Sequence, residues 1–206
     1  AGIFAKLGFT GFLAAAILAA VPFLVTGFFH LDGFLDCCDA ILSRRDLATR
    51  QKILKDSRVG AFAVVSAVLL FLLSFAALAD CSFSLIWRAL LLIPVVTRCM
   101  AGVAVETFAP MQTSQYASGF EAAQHKHQLT ALAVLNVLAA AAGLLLLKSA
   151  WFTVSAIGAE LFALLVCRAA RKNLGGMSGD ISGFSMTLGE LAGLLLLLAG
   201  QGALWS

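Results

Sequence analysis

The stretch His30-Leu31-Asp32-Gly33-Phe34-Leu35-Asp36-Cys37-Cys38-Asp39 follows directly on an apolar run over residues 8–29, and this junction decides how the chain folds. The run is long enough for a helix to cross a hydrocarbon core of about 30 Å. What leaves it is a helix with carboxylates on one side. Asp32, Asp36 and Asp39 stand at i, i+4 and i+7, so they fall within about 60° of one another. Asp46 returns to nearly the same azimuth. Like charges spaced in this way repel by about 0.2–0.5 kcal/mol per pair unless a cation stands between them. Hard oxygen ligands in basic surroundings suggest Mg²⁺ and a phosphate-bearing substrate.

Working outward, the 206 residues are 61% hydrophobic and only 12% charged, with a mean hydropathy of +0.98. That balance excludes an ordinary soluble domain and predicts an all-α, polytopic membrane helix bundle. About six transmembrane helices are expected, over 8–29, 59–79, 84–105, 129–147, 150–168 and 181–204, in a single integral membrane domain covering 1–206. Only Lys6 precedes the first run, which continues too far for the apolar core of a cleavable signal peptide. The chain starts at Ala1 without Met, so an upstream segment is expected to be missing. Five cysteines (Cys37, Cys38, Cys81, Cys99, Cys167) contain no CxxC pair and read as reduced and structural.

The net charge of +3 says less than its distribution. Residues 30–58 carry Arg44, Arg45, Arg50, Lys52, Lys55 and Arg58, so the positive-inside rule makes this acidic and basic segment cytoplasmic. The rule then sets 106–128 and 169–180 on the same side, with Asp80–Phe83 and Lys148–Ser149 opposite. Within 30–58 apolar residues recur at near-helical intervals among charges. A helix extending past the membrane, a turn near Ser43–Asp46 and an amphipathic interfacial helix are expected. Segment 106–128 reads as irregular to partly helical.

Several polar groups interrupt apolar sequence. Asp32 directly follows the first run, where an unpaired carboxylate costs up to about 2.5–3.5 kcal/mol at the bilayer centre and less near the interface. Gly33 beside it permits close approach of a helix or ligand, or serves as a plain packing glycine. Lys55 and Arg58 can hold phosphate oxygens, Arg through a bidentate fork. His30 can orient an aspartate, contact phosphate, or simply sit at the interface. Arg98 lies inside the third span, one turn after Pro94, and is a functional candidate by default, with snorkelling to lipid phosphate as the alternative. Arg88, near the outer end, reads as a snorkelling residue. Gly175–Gly183 forms a glycine-rich turn in which Ser178 and backbone N–H groups can meet an anion, with Asp180 as N-cap. Glu190, well inside the last span, should face the bundle interior as a metal ligand, a base or a partner of Arg98. Glu160 suits an interhelical hydrogen bond. His125 and His127, at i and i+2, point apart on a helix and make a poor zinc pair. No GxxxxGK[ST], HExxH or GxSxG motif is present.

HLDGFLDCCDA (30–40), RRDLATRQKILKDSRVGAF (44–62) and GDISGFSMTLGE (179–190) resemble the cobalamin synthase family of membrane adenosylcobinamide-GDP ribazoletransferases. The likeness runs from the first span to the last, with the blocks in order. The family has a further N-terminal segment not found here, and Cys37-Cys38 replaces commoner small residues. The resemblance implies a late step of cobalamin biosynthesis. A hydroxyl of α-ribazole 5′-phosphate attacks the phosphorus next to the aminopropanol arm of adenosylcobinamide-GDP, and GMP leaves. It also implies Mg²⁺ dependence and a multi-pass protein of the cell (inner) membrane with its site facing the cytoplasm. On this reading Asp32, Asp36 and Asp39 hold Mg²⁺, and Asp180 completes the shell or accepts the hydroxyl proton. Lys55, Arg58 and Arg98, with His30 and Ser178, hold the phosphates, and Glu190 joins the catalytic group. The lipid bilayer is a partner, a homo-oligomer is allowed, and no nucleic acid is expected.

Two other readings fit less well. A CDP-alcohol phosphotransferase carries DGxxAR, whereas Asp32-Gly33-Phe34-Leu35-Asp36 has neither Ala nor Arg in place. A transporter would use Arg98, Glu160 and Glu190 along its path, but transporters often show internal repeats and none is visible.

Overall fold

The computed structural model describes residues 11–112, 126–145 and 150–204. His125, Lys148–Ser149 and most of the segment between Met111 and Lys126 lie outside the described residues, as does the Arg88 side chain. The described chain is helical: α1 Gly11–Val25, α2 Phe29–Leu42, α3 Leu47–Ile53, α4 Ala61–Asp80, α5 Phe83–Thr107, α6 Lys126–Leu145, α7 Ala150–Leu174 and α8 Gly179–Leu204. Among the described residues the β pairing is a single bridge between Pro110 and Met177.

Four helices, α4, α5, α7 and α8, are long and apolar enough to cross a membrane, and α1 with α2 passes that test only as a bent pair. The protein is a helical membrane bundle, with four or five such spans among the described residues against an expectation of about six. Over the expected span 129–147 α6 runs Lys126–Leu145, with His127–Ala139 an apolar helix among the described residues. The bundle packs as lipid-embedded helices do. Small residues lie inside, among them Ala156, Ala159, Ala163, Cys167, Ser155 and Ser185, while Val64, Val68, Leu72, Leu161 and Leu165 face outward. Apolar contact between helices gains little over contact with lipid, so close backbone approach supplies the packing.

The first expected span does not run straight on into the acidic helix. Between α1 and α2 the chain bends by 93°. Gly27 and Phe28 take left-handed φ of 59° and 64°, and the Thr26 hydroxyl donates to the Pro22 carbonyl at 2.9 Å. A left-handed residue ends helical hydrogen bonding, and glycine accepts that conformation without penalty. The acidic helix therefore lies across the bundle and packs along α8 and α4.

After α2 come the turn and short helix that the pattern predicts. Asp46 caps α3, its carboxylate accepting from the Thr49 N–H at 3.0 Å and the Thr49 hydroxyl at 2.6 Å. Thr49's hydroxyl and N–H hold the Asp46 carboxyl below its ordinary range. Arg50 donates to Asn173 Oδ1 at 3.0 Å and Gln51 to the Leu174 carbonyl at 2.8 Å, so α3 is tied to the end of α7. Met177 N–H donates to the Ala109 carbonyl and Met111 N–H to the Met177 carbonyl. Segments 47–51, 109–111 and 173–178 thus meet at one end of the bundle. At the other end Gln201 accepts from the Ser82 N–H and donates to the Asp80 carbonyl.

Candidate active site

The site is made where α2 crosses the start of α8. Gly33 faces Asp180 so closely that a Cβ at 33 would stand 2.7 Å from the Asp180 Cα, and a Cβ at Gly183 would stand 2.9 Å from the His30 carbonyl oxygen. Two glycines, one on each helix, therefore let the backbones meet, and Gly33 resolves as a crossing glycine. Phe34 stacks on Phe184 with ring centroids 5.8 Å apart, and Ile181 and Cys37 are fully buried beneath the crossing.

This contact gathers carboxylates distant in sequence. The charges of Asp32, Asp180 and Asp39 all act on the Asp36 carboxyl, and Asp32 acts on Asp180. Among the described residues none of Asp32, Asp36 or Asp180 is in an ion pair. Among the described residues no three His, Cys, Asp or Glu side chains are close enough to form a complete metal cage. These donors still fit Mg²⁺, which is usually held by one or two carboxylates while water and substrate phosphates fill the other positions.

Asp39 has another task. Its oxygens accept from the Gly60 N–H at 2.6 Å and the Ala63 N–H at 2.9 Å, so it caps α4 from a neighbouring helix. A Cβ at Gly60 would meet that carboxylate at 2.6 Å. The negative group at a helix N-terminus satisfies donors that have no partner within the helix. At i+7 Asp39 shares the azimuth of Asp32 but lies two turns along, beside α4 and away from α8.

Glu190 meets Arg98. Arg98 Nη1 donates to Glu190 Oε1 at 2.6 Å and to the Pro94 carbonyl at 3.0 Å, while the Thr97 hydroxyl donates to the same Glu190 oxygen at 3.3 Å. Of the three roles open to Glu190 in the sequence, this geometry selects partnership with Arg98. Asn136 donates to Glu160, which is the interhelical hydrogen bond expected there.

Lys55 and Arg58 are exposed. Arg58 pairs with Asp56 at 2.6 Å, and its guanidinium pulls the Asp56 carboxyl down to about 2. Among the described residues no contact brings either basic residue to Asp32, Asp36 or Asp180. The glycine-rich turn also differs from expectation. Ser178, not Asp180, caps α8, its hydroxyl accepting from the Ile181 N–H at 3.4 Å. The N–H groups of Gly175, Gly176 and Met177 are spent on backbone carbonyls, so the turn is a helix stop and not an anion cradle.

A cavity of about 590 Å³ opens beside the crossing, with His30, Arg98, Glu106, Gln128 and Ser182 among its lining residues. Ser182 Oγ is buried without a hydrogen-bond partner among the described residues. Glu106, Gln128 and Ser182 were not legible as site residues. Glu106 carried one usable signal, its i+8 spacing from Arg98 along one helical face.

Comparison with known proteins agrees with the resemblance. A family model described as cobalamin-5-phosphate synthase matches residues 1–198. The chain is similar to the adenosylcobinamide-GDP ribazoletransferase of Clostridium perfringens (strain SM101), 39% identical over 197 residues, which are 95% of this chain and 78% of that one. It is similar to the enzyme of the same name from Halalkalibacterium halodurans at 38% over 184 residues, 86% and 69% of the two chains. To that of Clostridium botulinum (strain Alaska E43) it is 33% identical over 185 residues, 88% and 72%. No solved structure matches.

Proposed function

This chain belongs to the cobalamin-5-phosphate synthase family, and we propose on that premise that it is an adenosylcobinamide-GDP ribazoletransferase. It joins α-ribazole 5′-phosphate to the corrinoid with release of GMP, in the cell inner membrane and with its site toward the cytoplasm. The observation that carries this reading is the crossing at Gly33 and Asp180, which sets the acidic helix against the motif block 179–190 and beside a polar cleft.

A ribazole oxygen forms a new bond to the phosphorus on the corrinoid arm, the bond from that phosphorus to the bridging oxygen breaks, and GMP leaves with that oxygen. Asp32, Asp36 and Asp180 would hold Mg²⁺, which when bound supplies charge neutralisation at the diphosphate oxygens. Arg98 is held by Glu190 through Nη1, and its remaining donors meet the diphosphate from the cleft. His30 lines the same cleft and orients the phosphate chain. A carboxylate of the cluster takes the proton of the attacking hydroxyl.

The test uses purified protein in detergent with adenosylcobinamide-GDP, ribazole phosphate and Mg²⁺, following GMP. Turnover should require the divalent ion. Asp36→Asn should lose at least about a thousandfold in rate, each tenfold being 1.36 kcal/mol of barrier, while keeping its elution profile. Product without any divalent ion would remove Mg²⁺ from the proposal, and a normal rate in Asp36→Asn would remove that residue. No GMP from the complete mixture would end the assignment.

A further inference from the structure

Pro22 stands inside α1. It has no N–H, so the Leu18 carbonyl lacks the donor that an unbroken helix would supply four residues on. Leu18 and Pro22 both line a cavity of about 30 Å³ between α1, α4, α5 and α8, and Ser74, Thr187 and Glu190 line it with them. A helical carbonyl points along the axis toward the next turn, so the Leu18 oxygen borders the space that these two residues line. Packing brings the polar groups to one depth of the bundle. On one side of that depth Phe23 clusters with Leu70 and Leu191, and on the other Ala15 clusters with Leu78 and Leu194. Thr187, one turn before Glu190 on α8, is only 3% exposed, and its Oγ1 has no partner among the described residues. Glu190 gives Oε1 to Arg98 and Thr97 on α5, and its Oε2 has no partner among the described residues. The ion pair thus stands between two spaces, with Arg98 lining the cleft beside His30 and Glu190 lining the inner cavity.

A carbonyl and a carboxylate oxygen that need donors, beside two hydroxyls that can donate, match one small ligand. A water molecule donates twice and accepts twice. It needs two to four polar partners and at least about 10–15 Å³ of room, and this cavity offers both. A monovalent cation also takes oxygen ligands, but Arg98 already balances Glu190, and a further positive charge inside the bundle would stand uncompensated. We propose that the cavity is a hydration site in which one water donates to the Leu18 carbonyl and to Glu190 Oε2 and accepts from the Thr187 and Ser74 hydroxyls. Thr187, Ser74 and Pro22 are then positioning residues: they fix the Glu190 carboxylate, and through it the Arg98 guanidinium. The functional half of the proposal rests on the reading that Arg98 meets the diphosphate, and it gives the apolar helix α1 a part in substrate binding.

An experimental structure of the full chain, at a resolution that shows ordered water, tests the site without turnover. Density should lie within about 3.2 Å of Glu190 Oε2, Thr187 Oγ1 and the Leu18 carbonyl oxygen. A dry cavity overturns the proposal, and so does an anomalous peak there after thallous ion replaces sodium, which would make the occupant a cation. Kinetics test the positioning role. Thr187→Val keeps the side-chain shape and removes the hydroxyl, so KM for adenosylcobinamide-GDP should rise about fivefold, the size of one ordinary hydrogen bond. Its kcat should stay within about twofold, as expected when only uniform binding is lost. Thr187→Ser, which restores the hydroxyl, should restore KM. An unchanged KM in Thr187→Val overturns the positioning role, as does a fall in kcat and thermal midpoint that Thr187→Ser shares, which marks Thr187 as packing alone. No GMP from the complete mixture defeats the assigned activity instead, and the density still decides the hydration site.

Discussion

Asp36 and Asp39, one turn apart on α2, serve different ends because their neighbours differ. Asp36 meets Asp180 from α8, and Asp39 meets the start of α4. Asp39→Ala should therefore cost about 1–3 kcal/mol of stability, since two backbone donors lose their acceptor in a buried place. A thermal-unfolding series in detergent checks this, and an unchanged midpoint would deny Asp39 its capping role. Glu190→Gln keeps a hydrogen-bonding group but leaves the Arg98 charge without its counterion. The expected result is a rise of about tenfold in KM for adenosylcobinamide-GDP with a smaller change in kcat, because Arg98 binds ground state and transition state alike. Equal loss in kcat and kcat/KM would instead place Glu190 in the chemical step. Arg98 and Glu190 were legible as candidates because ionisable groups are rare in apolar helices. Ser182 was not, because a serine in such a helix is ordinary and only its missing partner marks it.

At the scale of elements, the amphipathic period of α2, the turn at Ser43–Asp46 and the short helix α3 all follow from local pattern, and the structure has them. The bend between α1 and α2 does not follow. Apolar residues continue through Thr26–Phe29, and hydropathy reads a bent pair as one span. The crossing of α2 and α8 depends on glycines placed to fit each other. Gly33→Ala puts a Cβ 2.7 Å from the Asp180 Cα, where only backbone can give way. Separation of the carboxylates by about 1 Å should lower turnover roughly a hundredfold, with the protein still expressed and membrane-inserted. A rate within threefold of wild type would show that the crossing does not position the site. Asp180 moved from cap to first-turn residue for a similar reason, since Gly179 is itself helical and the capping geometry falls to Ser178.

For the whole molecule, the two ends of the bundle are tied by different sets of contacts, α3 with α7 at one end and Gln201 with Asp80 and Ser82 at the other. Ser57 and Asp80 stand at the two ends of the segment that contains α4, which is apolar enough to span. Ser57→Cys should react with a membrane-impermeant maleimide only after the cytoplasmic face is opened, and Asp80→Cys should react in intact cells. The reverse pattern would turn the site outward and contradict the cytoplasmic assignment. Helix class, membrane insertion, the acidic face and the family motifs were all set by residue order, because hydropathy and helical azimuth are properties of short stretches of chain. Which carboxylates stand together, that Asp39 caps a neighbour, and that Glu106 and Ser182 share a cleft with Arg98 were decided only in three dimensions. Those relations depend on helix crossings, and a crossing is fixed by fit between surfaces remote from each other along the chain.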